Sequence, residues 1–168
     1  SFFAKMMLHD ILEKEFSLKD PLSSFEKDLD GKPSIKKKSL HFNISHSHNT
    51  VAIAICTKAV IGIDIQLEKA FSERIIPKVF CASEQHEFSN SLNPQSFFFD
   101  IWSKKEASVK ATGKGIKTGL NTFSVLENVL ELDNHQLHLE SIKIKEGYSC
   151  AIAVNHTISS IVVQRIHH

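Results

Sequence analysis

Trp102-Ser103-Lys104-Lys105-Glu106-Ala107-Ser108-Val109-Lys110-Ala111-Thr112-Gly113-Lys114-Gly115 is the stretch around which the rest of the chain reads. Trp102, Glu106 and Lys110 recur at i, i+4, i+8, so on a helix the ring, the carboxylate and the ammonium share one side. Gly113 and Gly115 stand where such a helix would end. Lys114 and Lys117 follow, so a positively charged loop comes after the carboxylate, an arrangement that suits a phosphate. Taken alone, the spacing equally describes an amphipathic helix with an ordinary surface Glu–Lys pair and a glycine stop.

Working upstream, Phe97 to Trp102 is an aromatic run read most simply as core, and Asn93-Pro94 breaks whatever precedes it. Residues 72–89 read as one or two helices, with Ile75, Ile76, Val79 and Phe80 on one face and a second segment capped at Ser83. Before them, Leu40–Ser47 alternates apolar and polar residues as a strand reaching a rim, and Val51–Cys56 is a short apolar strand. Val60–Gln66 is a third strand with an acid in its middle. Asp64 points away from Ile63 and Ile65, and a carboxylate there is costly to bury unless it is paired or metal-bound.

His41, His46 and His48 raise a zinc site, but no acidic or cysteine ligand lies nearby to complete a tetrahedral set, and a histidine donating to an anion is the preferred reading. Residues 2–16 carry apolar positions at near-helical spacing, and residues 17–39, with Pro21, Asp30-Gly31 and Pro33, read as an irregular loop. Lys32 sits there on stiff backbone between a glycine and a proline. Downstream of Leu120 the pattern turns to strands, at Thr122–Leu126, Leu137–Ile144, Tyr148–Val154 and Ile158–Ile166. Val51–Ile55 and Cys150–Val154 are nearly the same strand, which permits two similar lobes with a site between them.

Composition bounds the function. With 168 residues and 42% hydrophobic content the chain can build one domain or two small lobes on a shared core. A net charge of +1 argues against a nucleic-acid-binding surface, although Lys36-Lys37-Lys38 is a local basic patch. No stretch approaches the 18 or so apolar residues of a membrane span, and no signal pattern opens the chain, so a soluble protein is expected. Cys56, Cys81 and Cys150 are odd in number and form no C-x-x-C, which fits a reducing cytoplasm. His167-His168 at the end and Ser1 at the start read as unnatural termini.

Four stretches in order, Gly31-Lys32-Pro33, Phe42-Asn43-Ile44-Ser45-His46-Ser47, Gly62-Ile63-Asp64-Ile65 and Trp102-Ser103-x-x-Glu106-Ala107-x-x-Lys110-x-x-Gly113-x-Gly115, resemble the signature set of the 4'-phosphopantetheinyl transferases. The match is to the larger, pseudo-dimeric type that activates carrier proteins of peptide and polyketide synthetases. The resemblance implies an α+β fold of two similar lobes with antiparallel sheets, residues 1–60 and 61–168, in one compact unit with the active site between the lobes. It also implies further residues upstream of the first helix.

The implied reaction moves the pantetheine arm of coenzyme A to a serine of an apo carrier protein (acyl, peptidyl or polyketide) and releases adenosine 3',5'-bisphosphate. Magnesium would be held by Asp64 and Glu106, with Gln66, which replaces a second acid common in the family, or a water as a third ligand. Lys110 would hold the pyrophosphate, and Lys32, Pro33, Ser45, His46 and Lys114 would line the coenzyme A site. Glu106, Glu84 and Lys105 are the candidates for the base that activates the serine. Carrier proteins are acidic near that serine, so Lys36–Lys38 or Lys114–Lys117 is charge-complementary to one. A monomer with no nucleic-acid or membrane partner is expected. The competing readings are another magnesium-dependent phosphodiesterase or hydrolase, and an inactive coenzyme A-binding homologue.

Overall fold

The computed structural model describes residues 2–18, 25–27, 33–35, 40–113, 115 and 119–164. Helix α1, Phe2–Phe16, presents Leu8 and Leu12 to a small core completed by Leu18, Ile35, Leu40 and Phe42. The segment expected as irregular contains a short antiparallel pair, β1 (Phe25–Lys27) and β2 (Pro33–Ile35). A tight hairpin follows: β3, His41–Ser47, returns through His48-Asn49 into β4, Thr50–Cys56. His48 takes a positive φ of 52° in that turn.

Strand β5, Ile61–Leu67, pairs antiparallel with β8 (Tyr148–Val154), which pairs with β7 (His135–Ser141), and β7 with β6 (Val129–Leu132). Among the described residues all strand pairings are antiparallel, so the fold is α+β with antiparallel sheets. This four-stranded sheet separates two cores. On one face Ile61, Ile63 and Ile65 join Cys150, Ile152 and Val154 and meet Ala52 and Ala54 of β4. The alternation of strand side chains sends Gly62, Asp64 and Gln66 to the other face. There lies α4, Pro94–Thr112, buried on most of its circumference, whose Phe98 and Phe99 form an aromatic cluster with Phe71 and Phe80. Short elements, a 3₁₀ turn at Glu73–Ile75, α2 at Ile76–Val79 and α3 at Ala82–Ser89, add Ile75, Ile76, Val79 and Phe88 to the same core.

The start of α4 follows from Asn93, whose side chain accepts the Ser96 N–H, and from Pro94 at the first position. Its end follows from Gly113 in the left-handed region at φ 78°. Gly62 lets the helix approach the sheet: a Cβ there would stand 2.0 Å from the Ala107 carbonyl oxygen and 2.5 Å from the Ala111 nitrogen. The central helix is therefore pressed backbone to backbone against the strand that carries Asp64.

Three expected elements are corrected. Thr122–Leu126 is not a strand; Leu120–Thr122 is a 3₁₀ turn, and nearby backbone groups bond to the side chains of Glu84 and Lys105 instead of a ladder. Residues 158–164 of the expected last strand take no regular structure, because β-branched residues give a strand only where a neighbouring strand pairs with them. The segment 82–89 is capped at Cys81, whose N–H donates to Glu84 Oε2, not at Ser83. Strand β6 was not expected; Asp133 and Asn134, both at positive φ, make its hairpin turn with β7.

Candidate active site at the seam between two strands and a helix

Strands β3 and β5 run side by side, joined by side chains. Asn43 Oδ1 accepts the N–H of Ile63 at 3.0 Å, Ser45 Oγ that of Ile65 at 3.3 Å and Ser47 Oγ that of Leu67 at 2.9 Å. Alternate polar residues on one strand thus satisfy alternate backbone donors on the other, each twenty residues on in sequence. This seam was missed as such from the sequence, although the pattern Asn43-x-Ser45-x-Ser47 on one strand face is its signal.

At the middle rung stands Asp64, 2% exposed. Its Oδ1 accepts from Lys110 Nζ at 2.6 Å and from Ser45 Oγ at 2.9 Å, and its Oδ2 from Gln66 Nε2 at 2.7 Å. Lys110 also donates to Ser45 Oγ at 3.0 Å and to the Ile63 carbonyl at 3.1 Å. The buried acid required a partner, and that partner comes from α4, forty-six residues away. Gln66 shares the strand face with Asp64 as its spacing requires, but it turns its amide nitrogen, not its oxygen, toward the carboxylate.

Glu106 lies one helical turn before Lys110. Burial, then the negative charge of Asp64, push its carboxyl above the ordinary carboxylate range, and Lys110 only partly offsets them. Two carboxylates and one lysine therefore face each other across the junction of β5 and α4. Cys150, behind Asp64 on the adjacent strand, has its thiol pushed up to about 12 by burial and by the same acid. Among the described residues no group of three or more histidine, cysteine or acidic side chains is placed to hold a metal.

Glu84 and Lys105 are not brought to this cluster. They lie in the core between α3, which carries Glu84, and α4, both fully buried, with Lys105 Nζ 2.8 Å from Glu84 Oε2. Lys105 also donates to the carbonyls of Leu120, at 2.8 Å, and Phe123, while Glu84 Oε1 accepts the Val125 N–H at 2.9 Å. Adjacent residues of a helix point about 100° apart, so Lys105 turns inward where Glu106 turns to the seam. Burial lowers the Lys105 ammonium from its ordinary value, and the Glu84 carboxylate opposes that shift. His46 is exposed on the rim of β3, and Pro33 opens β2. Lys32, Lys36–Lys38, Lys114 and Lys117 lie outside the described residues.

The family model of the 4'-phosphopantetheinyl transferase superfamily matches residues 60–153, which hold β5, α4 and the sheet behind them. The 4'-phosphopantetheinyl transferase psf-1 of Bacillus pumilus is 33% identical over 162 residues, covering 90% of this chain and 69% of that protein. The transferase Sfp of Bacillus subtilis is 29% identical over 161 residues, covering 90% of this chain and 71% of its own length. The transferase gsp of Aneurinibacillus migulanus is 29% identical over 180 residues, covering 99% and 75%.

Proposed function

Because the chain belongs to the 4'-phosphopantetheinyl transferase superfamily, we propose that it transfers the 4'-phosphopantetheine arm of coenzyme A to a serine of an apo carrier protein. The observation that carries this reading is the Asp64–Lys110–Ser45 cluster with Glu106 beside it: acids for a cation and a lysine for a phosphate, at the junction of two strands and a helix. The serine oxygen forms a bond to the phosphorus that bears pantetheine, the pyrophosphate P–O bond breaks, and adenosine 3',5'-bisphosphate leaves.

The donor set fits magnesium, a hard cation that takes oxygen ligands and commonly only one or two carboxylates. The raised Glu106 carboxyl, facing Asp64, is a pair of acids whose mutual repulsion a dication relieves. Asp64 and Glu106 would hold it, and bound there it would neutralise charge that develops on the pyrophosphate. Lys110, on a helix fixed by Gly62 and Gly113, holds its ammonium at the same junction and would orient the phosphate. Ser45, buried in the network, positions Asp64 and Lys110, and His46, exposed on β3, would contact the 3'-phosphate of coenzyme A. Of the three base candidates, Glu106 is the one at the seam, while Glu84 and Lys105 are buried in the core. The pairing of Glu84 with Lys105 supports a structural role for both.

In this reading residues 1–60 and 61–168 are the two lobes of one unit, the seam of β3 and β5 is their junction, and a cytoplasmic monomer completes the site within one chain. Among the described residues no helix is long and apolar enough to cross a membrane.

Intact-mass spectrometry of an apo carrier protein incubated with this protein, coenzyme A and magnesium tests the proposal. A phosphopantetheine-sized gain that needs the metal is expected. Unchanged mass across acyl and peptidyl carriers would refute it.

A further inference from the structure

The residue proposed to hold the cation and the residue proposed to hold the phosphate are hydrogen-bonded to each other. The Lys110 ammonium has three protons, and Asp64 Oδ1, Ser45 Oγ and the Ile63 carbonyl lie 2.6, 3.0 and 3.1 Å away. The Ser45 hydroxyl gives its proton to Asp64 Oδ1 and accepts from Lys110 and from the Ile65 N–H, which uses its full capacity. The second Asp64 oxygen takes the Gln66 amide. The buried carboxylate is thus neutralised from within the chain.

An ammonium and a dication cannot both sit against one carboxylate oxygen without strong repulsion. Lysine has a flexible four-carbon stem, and the Lys110 side chain is 28% exposed, so its charge has a way out to solvent. Resting on the transferase reading above, we infer that Lys110 is a placeholder cation: its ammonium occupies the Asp64 oxygen that a divalent ion needs and gives it up when a phosphate oxyanion replaces that partner. The consequence is thermodynamic coupling. Asp64 is a weak metal ligand until the phosphate-bearing substrate arrives, and by reciprocity the metal favours substrate binding.

The test uses manganese as an oxygen-seeking probe, with free manganese followed by electron paramagnetic resonance and no nucleotide present. Lys110→Met should bind the ion about ten- to a hundredfold more tightly than the unaltered protein, the range of one charge-assisted hydrogen bond. Lys110→Arg, which keeps the positive charge, should stay near the unaltered affinity. Lys104→Met removes one charge from the same helix, where Lys104 bridges Asp100 at 3.0 Å, and reports the effect of net charge alone. If the methionine variant does not fold, Lys110→Gln, which keeps a donor for Asp64, takes its place with the same expectation.

A folded Lys110→Met or Lys110→Gln no tighter than Lys104→Met overturns the exchange. If coenzyme A enables manganese to bind while those variants change nothing, the exchange alone falls. If manganese binds none of the proteins with or without coenzyme A, the metal assignment falls with it.

Discussion

Glu84 Oε2 and Lys105 Nζ meet 2.8 Å apart with neither side chain accessible to water, and between them they bind four backbone groups. Two charges that the sequence offered as catalytic candidates are the clamp that holds residues 120–125 and the start of α3 onto α4. Removing one member leaves a buried charge without its partner, at a cost of about 3–5 kcal/mol. Lys105→Met and Glu84→Gln should each lower the urea midpoint by a corresponding amount while the folded fraction still loads carrier protein. A variant that unfolds at the original midpoint yet cannot load would make the pair catalytic instead.

Gly62→Ala is expected to damage the site without touching any of its polar groups. The added methyl meets α4 backbone at Ala107 and Ala111, which cannot turn aside as a side chain can, so helix and strand must part. Overpacking of this kind costs about 1–3 kcal/mol, and it moves Lys110 away from Asp64. Thermal melting should show the loss of stability, and loading should fall further than the folded fraction does. Loading in proportion to the folded fraction would mean that the close approach is not what sets the site.

The Glu106 carboxyl gives a pH dependence with a definite sign. Its folded value is raised above 4.5, so the folded protein holds the proton more tightly than the unfolded chain. Its stabilising contribution is present below pH about 4.5 and is lost as pH rises through the folded value. Glu106→Gln, which does not titrate, should therefore be more stable than the unaltered protein at pH 7 in metal-free buffer, and that advantage should disappear on acidification. Urea titrations of both proteins at the two pH values measure it. A glutamine variant that is less stable at neutral pH contradicts the assignment.

Cys150 should be chemically silent. The thiolate is the reactive form, and burial together with Asp64 pushes this thiol up to about 12. Iodoacetamide at pH 8 should label Cys56 and Cys81, both partly accessible, ahead of Cys150, and all three once the chain is unfolded in urea. Rapid labelling of Cys150 in the folded protein would show that the sheet behind Asp64 opens.

Much of the site was legible because it rests on local patterns. The i, i+4 spacing of Glu106 and Lys110 and the acid inside Ile61–Leu67 each declare a face before any tertiary structure is known. What was not legible depends on partners far away in sequence. Nothing near Lys105 says that it turns from Glu106 to meet Glu84, and nothing near Thr122 says that side chains would take the backbone groups a strand would use. Ile158–Ile166 reads as a strand by composition, but residues 158–164 take no regular structure. Ser45 is buried between Asp64 and Lys110, a placement that depends on a strand and a helix far apart in sequence.

The most direct test of the central claim is the stoichiometry of adenosine 3',5'-bisphosphate released against carrier protein loaded, measured in the same tube by chromatography and intact mass. The transferase account expects equal amounts of the two products, neither of them without carrier or without divalent metal, and neither with Asp64→Asn. Nucleotide released from coenzyme A in the absence of any carrier would contradict it and make the Asp64–Glu106–Lys110 cluster the site of a hydrolase.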